Sequence, residues 1–342
     1  MPFGIEPIKM MKLDESTMKY INLPDRRQRK VSFYLAMEEY VAQHIAEPEC
    51  FFMWQVEPSV VFGRNQIVEK EVNLDFCRKH GIQLFRRKSG GGCVYADSRN
   101  AMFSCVTDET VDGLSFRKYM GLLVVMLRRL GVPAEASGRN DILVQGRKVS
   151  GNAFYRMPAT GKSVVHGTML YDVDILNMVG AITPTDAKLL CKGMADVRQR
   201  VAMLKDCLPL SLPEFMDFVK GNIGDGEMTL TSDDVKAIEE MEQAYQNEDF
   251  IFGHLPQPAV SKSLYVEKVG ELEARIDLTD GVIDDWVLLG DFFILDDIDE
   301  AIIRPLVGKR LSKEAVEEAL PADLSSVVMN LKRDDIVRLL VG

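Results

Sequence analysis

Three consecutive glycines beside a cluster of positive charge form the segment of this sequence best suited to chemistry. Residues 86–97 have the sequence RRKSGGGCVYAD, in which the glycines at 90–92 follow Arg87 and Ser89. Glycine lets an anion approach the backbone closely, and successive N–H groups can form an anion-binding concavity. The planar guanidinium of arginine suits phosphate or carboxylate oxygens. The segment therefore predicts an anion-binding loop, although its spacing matches neither the Walker loop nor the dinucleotide fingerprint.

A second segment places a lysine among small polar residues in a strand-like run. Lys148 begins the sequence KVSGN. An ammonium group there could contact both an acyl carboxylate and an α-phosphate, and it would stabilise the charge that develops as phosphorus becomes five-coordinate. An ordinary hairpin lysine is the alternative interpretation. Taken with the anion-binding loop, Lys148 is the residue that we expect to carry the chemistry.

These segments together resemble the lipoate–protein ligase family. Three motifs occur in the family's order: RRKSGGGCVYAD at 86–97, GRNDILVQGRKVSGNAFYR at 138–156 and HGTML at 166–170. Matching stretches flank them: FYLAMEEY at 33–40, VVFGRNQ at 60–66 and CKGMADVRQRV at 191–201. The strong motifs run from about residue 30 to about residue 205. One departure is that family members usually carry His where this chain has Ala96.

The resemblance implies a fold, a reaction and its partners. The implied fold is α+β, a biotin/lipoyl ligase-like catalytic domain with mixed β-sheets and flanking helices, followed by a small C-terminal α+β domain. The implied enzyme activates free lipoate with ATP to lipoyl-AMP and transfers the lipoyl group to a lysine of a carrier. Implied cofactors are ATP and Mg²⁺. Implied carriers are lipoyl domains of 2-oxoacid dehydrogenase complexes or the glycine cleavage H protein.

The resemblance also implies a set of site residues. Lys148 matches the family's catalytic lysine, Asp141 is a candidate magnesium contact, and His166 would line the acyl pocket. The candidate substrate- and ATP-binding residues are Arg87, Ser89, Gly90, Gly91, Gly92, Val94, Tyr95, Asn100, Asn140, Asp141, Ser150, Gly151, Asn152, Arg156, His166 and Thr168.

Two alternatives stay open at this point. An octanoyl or lipoyl transferase of the same superfamily would act through a cysteine placed just before the GRND-like hairpin, but that stretch here is AEASGRND. Cys93 has no His or acid partner nearby in sequence, which favours a small inward-facing residue over a nucleophile. A non-catalytic lipoate- or nucleotide-binding homologue is the second alternative, because of Ala96.

Bulk composition limits the function class further. The chain has 342 residues, 46% hydrophobic residues and a net charge of −11. That length suggests two domains, and the negative charge argues against a nucleic-acid partner. No apolar run is long enough to span a membrane, and the first residues lack the apolar core of a signal peptide, so we expect a cytoplasmic protein without a membrane partner. The six cysteines show no CxxC pair or zinc spacing.

The elements that must position these residues follow from local signals. Apolar spacing predicts helices at 31–47, 68–80, 115–130 and 231–250, and β-type runs predict strands at 51–56, 59–63 and 82–87. Gln145-Gly146 and Asp280-Gly281 predict hairpin turns. The proline-containing stretch at 251–262 predicts a linker between a catalytic domain at 1–250 and an accessory domain at 263–342. Lys192, Arg198 and Arg200 form a basic cluster that could be a docking surface or simply a solvated face.

Overall fold

A computed structural model describes residues 18–108, 114–137, 140–157, 159–182, 197, 199–253 and 260–342. The strands of these residues, in chain order, are β1 (Lys19–Asn22), β2 (Glu49–Trp54), β3 (Ser59–Phe62), β4 (Gln83–Arg86), β5 (Val94–Ala96), β6 (Ala101–Thr107), β7 (Ala134–Ala136), β8 (Asp141–Val144), β9 (Arg147–Arg156), β10 (Ser163–Met169), β11 (Gly226–Thr229), β12 (Val260–Val266), β13 (Gly270–Thr279) and β14 (Val282–Gly290). The α-helices are α1 (Val31–His44), α2 (Val68–Glu71), α3 (Leu74–His80), α4 (Leu114–Arg129), α5 (Ile175–Ile182), α6 (Leu212–Asn222), α7 (Ser232–Gln246), α8 (Glu248–Phe252), α9 (Lys313–Ala319) and α10 (Arg333–Leu340).

The largest sheet within the described residues has eight strands in the order β11-β1-β2-β6-β10-β9-β8-β7. Strand β1 runs parallel to both of its neighbours, whereas β2, β6, β10, β9 and β8 pair antiparallel. The long strand β10 lies between β6 and β9 over its whole length. This arrangement brings the HGTML and KVSGN motifs side by side, because Gly151 pairs with Thr168.

Both faces of this sheet are covered. Successive residues of a strand point to opposite faces, so Phe51 packs in one core and Phe52 in the other. Helices α4 and α6 supply the first core, and α1 and α7 supply the second. Helix α1 is buried along its length from Val31 to Ala42, so it acts as a central support and not as a surface helix.

A small second sheet carries the triple-glycine loop. Its strand order is β4-β3-β5, with β3 parallel to β4 and antiparallel to β5. The loop at 90–92 connects β4 to β5, as the sequence predicted. Strand β3 therefore pairs with both strands that flank the loop and fixes the positions of the loop's two ends.

The described helices differ from the predicted ones in three places. The predicted helix at 68–80 is two helices, α2 and α3, because Val72 is extended and the Asn73 side chain accepts a hydrogen bond from Phe76 N–H to start α3. The cap competes locally with continued helix. The predicted helix at 231–250 is likewise two helices, α7 and α8, because Asn247 is extended and its side chain accepts a hydrogen bond from Asp249 N–H. The predicted helix at 31–47 ends at His44. Gly81, which follows the predicted helix end at residue 80, ends α3 with a positive φ of 65°.

The C-terminal residues form a separate antiparallel sheet in the order β12-β13-β14. Asp280 and Gly281 both have positive φ, which confirms the predicted hairpin turn. Strand β12 begins at Val260 and was not predicted, since that residue lay in the proposed linker at 251–262. The sheet and the helices α9 and α10 share one core that includes Trp286 and Leu339. The division at 1–250 and 263–342 stays a prediction.

Candidate active site

The β8–β9 hairpin positions Lys148. Gln145 and Gly146 at its turn have φ of 51° and 74°, the combination that a two-residue hairpin needs. The register shifts between Ile142 and Leu143, a β-bulge that re-aims side chains along β9. Lys148 Nζ lies 2.7 Å from Asp141 Oδ1, and the two side chains are 36% and 30% exposed. The hairpin thus presents an ammonium group that is held by one carboxylate and still reaches open space.

Arg87 holds the triple-glycine loop from the inside. Its Nη2 donates to the carbonyls of Gly90 and Gly92, both at 2.7 Å, and its Nη1 donates to Val61 O at 3.0 Å. Burial lowers the pKa of the Arg87 guanidinium to about 10. All three guanidinium nitrogens of Arg87 donate within the protein, the third to Ser89 Oγ. Arg87 therefore holds the conformation of the loop. Its contact with a substrate anion stays a prediction.

The loop also depends on glycine at a neighbouring position. A Cβ on Gly63 would lie 2.0 Å from Gly91 O, so the loop packs directly on the backbone that follows β3. Gly91 itself has a φ of 86°, a conformation that side chains disfavour. The GRN run after β3, noted only as flanking similarity, is therefore part of the loop's support.

A buried hydrogen-bond chain connects this loop to His166. Ser89 Oγ lies 2.7 Å from His166 Nε2, and His166 Nδ1 lies 2.9 and 3.0 Å from the two carboxylate oxygens of Glu38. Ser104 Oγ donates to Glu38 Oε1 at 2.6 Å and accepts from Trp54 Nε1 at 2.9 Å. The carboxylate of Glu38 therefore receives hydrogen bonds from two side chains, those of Ser104 and His166.

Asn140 and Asn152 lock the opposite wall. Asn140 Nδ2 donates to Asn152 O at 2.9 Å, and Asn152 Nδ2 donates to Asn140 O at 3.1 Å. Ser150 Oγ lies 3.0 Å from Asn152 Nδ2. A Cβ on Gly167 would lie 2.0 Å from Asn152 Oδ1, so the HGT glycine makes room for this amide. These contacts order the backbone beside Lys148.

A cavity of about 590 Å³, counting its open mouth, lies between the loop, the hairpin and β10. Its lining combines apolar side chains with polar and charged ones. Its lining residues are Leu35, Trp54, Val61, Arg87, Gly91, Gly92, Cys93, Val94, Met102, Asn140, Lys148, Gly151, Asn152, Ala153, His166, Gly167, Thr168 and Phe293. Such a cavity fits a ligand with an apolar chain and an anionic head.

The end of β14 and the segment that follows it close one side of this cavity. Gly91 N–H donates to Phe292 O at 2.9 Å, and Gly290 N–H donates to Asn65 O at 2.9 Å. The Phe293 side chain is 3% exposed, lines the cavity and packs in the same core as Phe103. The Gly91 N–H is therefore occupied by a carbonyl of the segment after β14.

Most predicted site residues come together, and three do not. Four of the predicted residues contact lining residues but do not line the cavity themselves: Ser89, Gly90, Asp141 and Ser150. Tyr95 packs in a core cluster with Phe62, and fully buried Asn100 accepts from Tyr171 N–H. Arg156 is exposed at the end of β9, roughly 26 Å along the strand from Lys148. The structure therefore does not bring Arg156 to the cavity, because strand β9 extends beyond the cavity before it reaches Arg156.

Several site residues were missed by sequence reasoning. Trp54, Met102 and Leu35 line the cavity but were assigned to elements only, and Phe293 is contributed from about 200 residues beyond the loop. Glu38 lies in the quoted FYLAMEEY stretch, where a charged pair inside an otherwise apolar helix was the available signal. Of the basic cluster, Lys192 and Arg198 lie outside the described residues.

Neither a metal cluster nor a reactive thiol stands out in the described part of the chain. It contains no group of three His, Cys, Asp or Glu side chains that could hold a metal ion. Asp141 offers a single carboxylate, which suits magnesium if phosphates supply the other ligands. Burial raises the pKa of the Cys93 thiol to about 12, so it is protonated and weakly nucleophilic at neutral pH. No helix among the described residues is long and apolar enough to cross a membrane.

Comparisons with known proteins agree with this geometry. The model of the lipoyl protein ligase A/B catalytic domain matches residues 30–224, and that of the bacterial lipoate protein ligase C-terminus matches residues 256–340. The chain is 33% identical to lipoate-protein ligase LplJ of Bacillus subtilis over 319 residues, covering 90% of this chain and 95% of that one. It is 35% identical to lipoate–protein ligase 1 of Staphylococcus aureus over 318 residues, with the same coverage.

A solved structure is similar as well. It is a bipartite lipoate protein ligase from an archaeal lipoylation system of Thermoplasma acidophilum, studied with its E2 lipoyl domain. The TM-score is 0.62 at 26% identity, and the match covers 72% of this chain and all of that one. The predicted α+β fold, with mixed sheets, flanking helices and a C-terminal α+β part, is confirmed, and the C-terminal sheet is antiparallel.

Proposed function

This chain belongs to the lipoate–protein ligase family, and we propose that it activates free lipoate with ATP and transfers the lipoyl group to a carrier lysine. The observation that carries the proposal is the position of Lys148. Its ammonium group reaches a cavity that is lined both by apolar side chains and by the glycine loop. A carboxylate attached to an apolar chain fits that lining.

The reaction has two steps. In the first, a carboxylate oxygen of lipoate forms a bond to the α-phosphorus of ATP, and the bond to the leaving pyrophosphate breaks, which gives lipoyl-AMP. In the second, a neutral lysine amine of the carrier attacks the lipoyl carbonyl. The bond to AMP breaks, the amide forms, and the amine gives up a proton. Neither step needs an enzyme nucleophile, which agrees with the protonated Cys93 thiol.

The protein's contribution is placement and charge. Lys148 Nζ would sit between the lipoate carboxylate and the α-phosphate, where negative charge builds up in the transition state. The backbone N–H groups of the triple-glycine loop would bind anionic oxygens. Apolar lining from Trp54 and Met102 would hold the acyl chain. Phe293 closes the cavity and keeps water away from the mixed anhydride.

Asp141 is the residue that would hold magnesium. One carboxylate fits the ion's usual needs when ATP phosphates complete its ligands. The bound ion would neutralise phosphate charge during the first step. In its absence the Asp141 carboxylate pairs with Lys148, so the same side chain keeps the ammonium group in place before substrates arrive.

The carrier is proposed to be a lipoyl domain of a 2-oxoacid dehydrogenase complex or the glycine cleavage H protein. The similar Thermoplasma ligase was studied with its E2 lipoyl domain, which supports the first class. Supplying both carriers in parallel with lipoate and ATP, and measuring the mass gain of each, identifies the acceptor. A mass gain on neither, with lipoyl-AMP formed, would restrict the proposal to the first step.

The first step is tested by lipoate-dependent exchange of pyrophosphate into ATP. Lys148→Ala should lower the exchange rate about 10²–10³-fold, the usual cost of losing one preorganised donor to the transition state. The matched control is Arg147→Ala, which removes an exposed cation from the same hairpin and should change the rate less than about threefold. If the wild-type protein binds lipoate or ATP without exchange, it is a non-catalytic binding homologue. A lipoyl thioester on Cys93 would instead indicate a transferase.

A further inference from the structure

Glu38 is the end point of two hydrogen-bond chains that orient the cavity wall. It lies in α1, is fully buried, and is not itself one of the residues that line the cavity. One chain reaches it from the triple-glycine loop through His166. The other reaches it from Trp54 through Ser104. His166 and Trp54 both line the cavity, so one carboxylate is linked to both.

The direction of the first chain follows from the carboxylate at its end. Glu38 can only accept, so His166 Nδ1, 2.9 Å from Oε1, carries the hydrogen of that contact. In a neutral imidazole Nε2 then has a lone pair, and the Ser89 hydroxyl donates to it at 2.7 Å. The same hydroxyl oxygen accepts from Arg87 Nε at 2.9 Å. The acceptor-only carboxylate therefore sets the direction of the donors along this chain.

The second chain requires the same chemistry. The indole Nε1–H of Trp54 can only donate, so Ser104 Oγ accepts it and passes its own hydrogen to Glu38 Oε1. Both chains end on Glu38 Oε1, and Oε2 is the second acceptor for His166 Nδ1 at 3.0 Å. An amide in place of the carboxylate would set an N–H donor against the hydrogen of Nδ1. The cost of an unpaired buried donor exceeds the gain of a formed hydrogen bond.

We propose that Glu38 is a positioning residue for lipoate binding: it fixes the Nδ1–H tautomer of His166, and through it Ser89 and the triple-glycine loop, while Ser104 fixes the ring of Trp54. The kinetic part of this proposal rests on the ligase function proposed above. The tautomer part concerns the free protein and does not.

The order Ser89, His166, Glu38 is also that of a hydrolytic triad, but the geometry favours positioning. Ser89 is fully buried and lies behind the lining of the cavity. Its Oγ already accepts from Arg87, which holds it against the loop. A nucleophile must reach the reacting carbonyl, whereas this hydroxyl is directed towards the imidazole. Glu38 thus acts through other side chains and does not touch substrate.

The neighbouring residue gives a matched control. Glu39 lies on the same helix, is 8% exposed, and pairs with Lys88 at 2.6 Å and with the Tyr245 hydroxyl. Glu39→Gln therefore removes the same charge from the same buried helix without entering either chain. Any effect of Glu38→Gln that comes merely from losing a buried negative charge in α1 should appear in Glu39→Gln as well.

The decisive measurement is the tautomer of His166 in ¹⁵N-histidine-labelled free protein. The wild type should show the Nδ1–H form, and an Nε2–H form there would overturn the proposal without any variant. Glu38→Gln presents an amide donor and should convert His166 to the Nε2–H form, while Glu39→Gln should not. Glu38→Asp keeps the acceptor and should retain the wild-type tautomer, which gives a conservative rescue if the glutamine variant folds poorly.

The kinetic readout separates positioning from general damage. In lipoate-dependent pyrophosphate exchange, Glu38→Gln should raise the KM for lipoate about tenfold, as expected for one lost oriented hydrogen bond, with kcat within about threefold. Unchanged KM and tautomer in Glu38→Gln, or equal effects in Glu39→Gln, would overturn the proposal. If the wild type shows no exchange, the proposed function fails, and the tautomer measurement still decides the role of Glu38.

Discussion

The most direct test of the Lys148 geometry is the addition of one methyl group at Gly151. A Cβ at this position would lie 2.7 Å from Lys148 Nζ and 2.8 Å from its Cε. Gly151 has no positive φ, so the backbone of β9 accepts alanine. The substitution Gly151→Ala therefore removes no titratable group from the chain, but it displaces the ammonium group of Lys148.

The size of the displacement follows from the contact distance. Ordinary Cβ contacts begin at 3.4 Å, so the ammonium group must move by roughly 0.7 Å. The end of a lysine side chain moves at little cost, and we expect the free energy of unfolding to change by less than about 1 kcal/mol. Misplacement of a catalytic group by about 1 Å can cost about 10²-fold in rate, or about 2.7 kcal/mol of transition-state stabilisation.

The assay is lipoate-dependent pyrophosphate exchange with Gly151→Ala, Lys148→Ala and the double variant. If the methyl group acts by moving Lys148, the double variant should be no slower than Lys148→Ala alone, because residues in contact are not additive. Gly221→Ala is the control, since its added Cβ meets nothing within 4 Å. Losses that multiply in the double variant would refute the reasoning and indicate that the methyl group blocks substrate directly.

The remaining predictions concern other parts of the cavity and the fold. Cys93→Ala should keep most of the activity. Because burial raises the pKa of the folded-state thiol to about 12, the stability that the thiol contributes is complete below its unfolded pKa and is lost as pH rises towards 12. Urea unfolding of the wild type and of Cys93→Ala at pH 8 and pH 11 would measure this loss. Phe293→Ala should slow adenylation more than lipoyl transfer from preformed lipoyl-AMP, because only the first step needs the closed cavity; the 72% exposed Tyr265 supplies the control, and equal losses in both steps would contradict this. Asn73→Ala should lower the free energy of unfolding by about 1 kcal/mol in urea titrations, since it removes the cap of α3; an unchanged value would remove the cap from the account of the split helix.

The predictable parts of the fold are those that local sequence determines. The turns at Gln145-Gly146 and Asp280-Gly281 were predicted because their residues tolerate positive φ, which the structure gives them. The helix ending at Gly81 was predicted for the same kind of reason. The break before α3 was missed because apolar spacing continues through it. There the Asn73 side chain and helix propensity compete, and spacing alone does not tell which prevails.

The parts of the site that sequence missed depend on long-range contacts. Glu38 meets Ser104 and His166, which are 66 and 128 residues away in sequence. Phe293 reaches the cavity from the segment after β14. A single sequence has no period or spacing that links such residues. The resemblance to the ligase family supplied the missing long-range information for the motif residues, most of which lie at or beside the cavity, whereas Arg156 lies away from it.

The structure, and not the composition, shows which positively charged side chains are free to meet an anionic substrate. A chain of net charge −11 that binds anions needs a local basic cluster, and Arg86, Arg87 and Lys88 were the expected one. In the structure Arg86 donates to the carbonyls of Gly63, Arg64, Gln66 and Ile251, and Arg87 donates to the loop. Lys88 pairs with Glu39. Arg86 and Arg87 therefore hold the loop and the backbone around it, and of these three cations only Arg87 lines the cavity, with its nitrogens already donating within the protein.

The anionic parts of the substrates must then be met by other groups. Lys148 reaches the cavity, and Gly91 and Gly92 of the glycine loop line the same space. The Gly91 N–H donates to Phe292 O at 2.9 Å, and Asp141 pairs with Lys148. An incoming anion therefore replaces contacts that already satisfy these donors, and it is bound only if it offers more charge than a carbonyl and one carboxylate. The phosphates of ATP would meet that condition, because Lys148 could pair with them while Asp141 would be free to hold magnesium, which would neutralise phosphate charge.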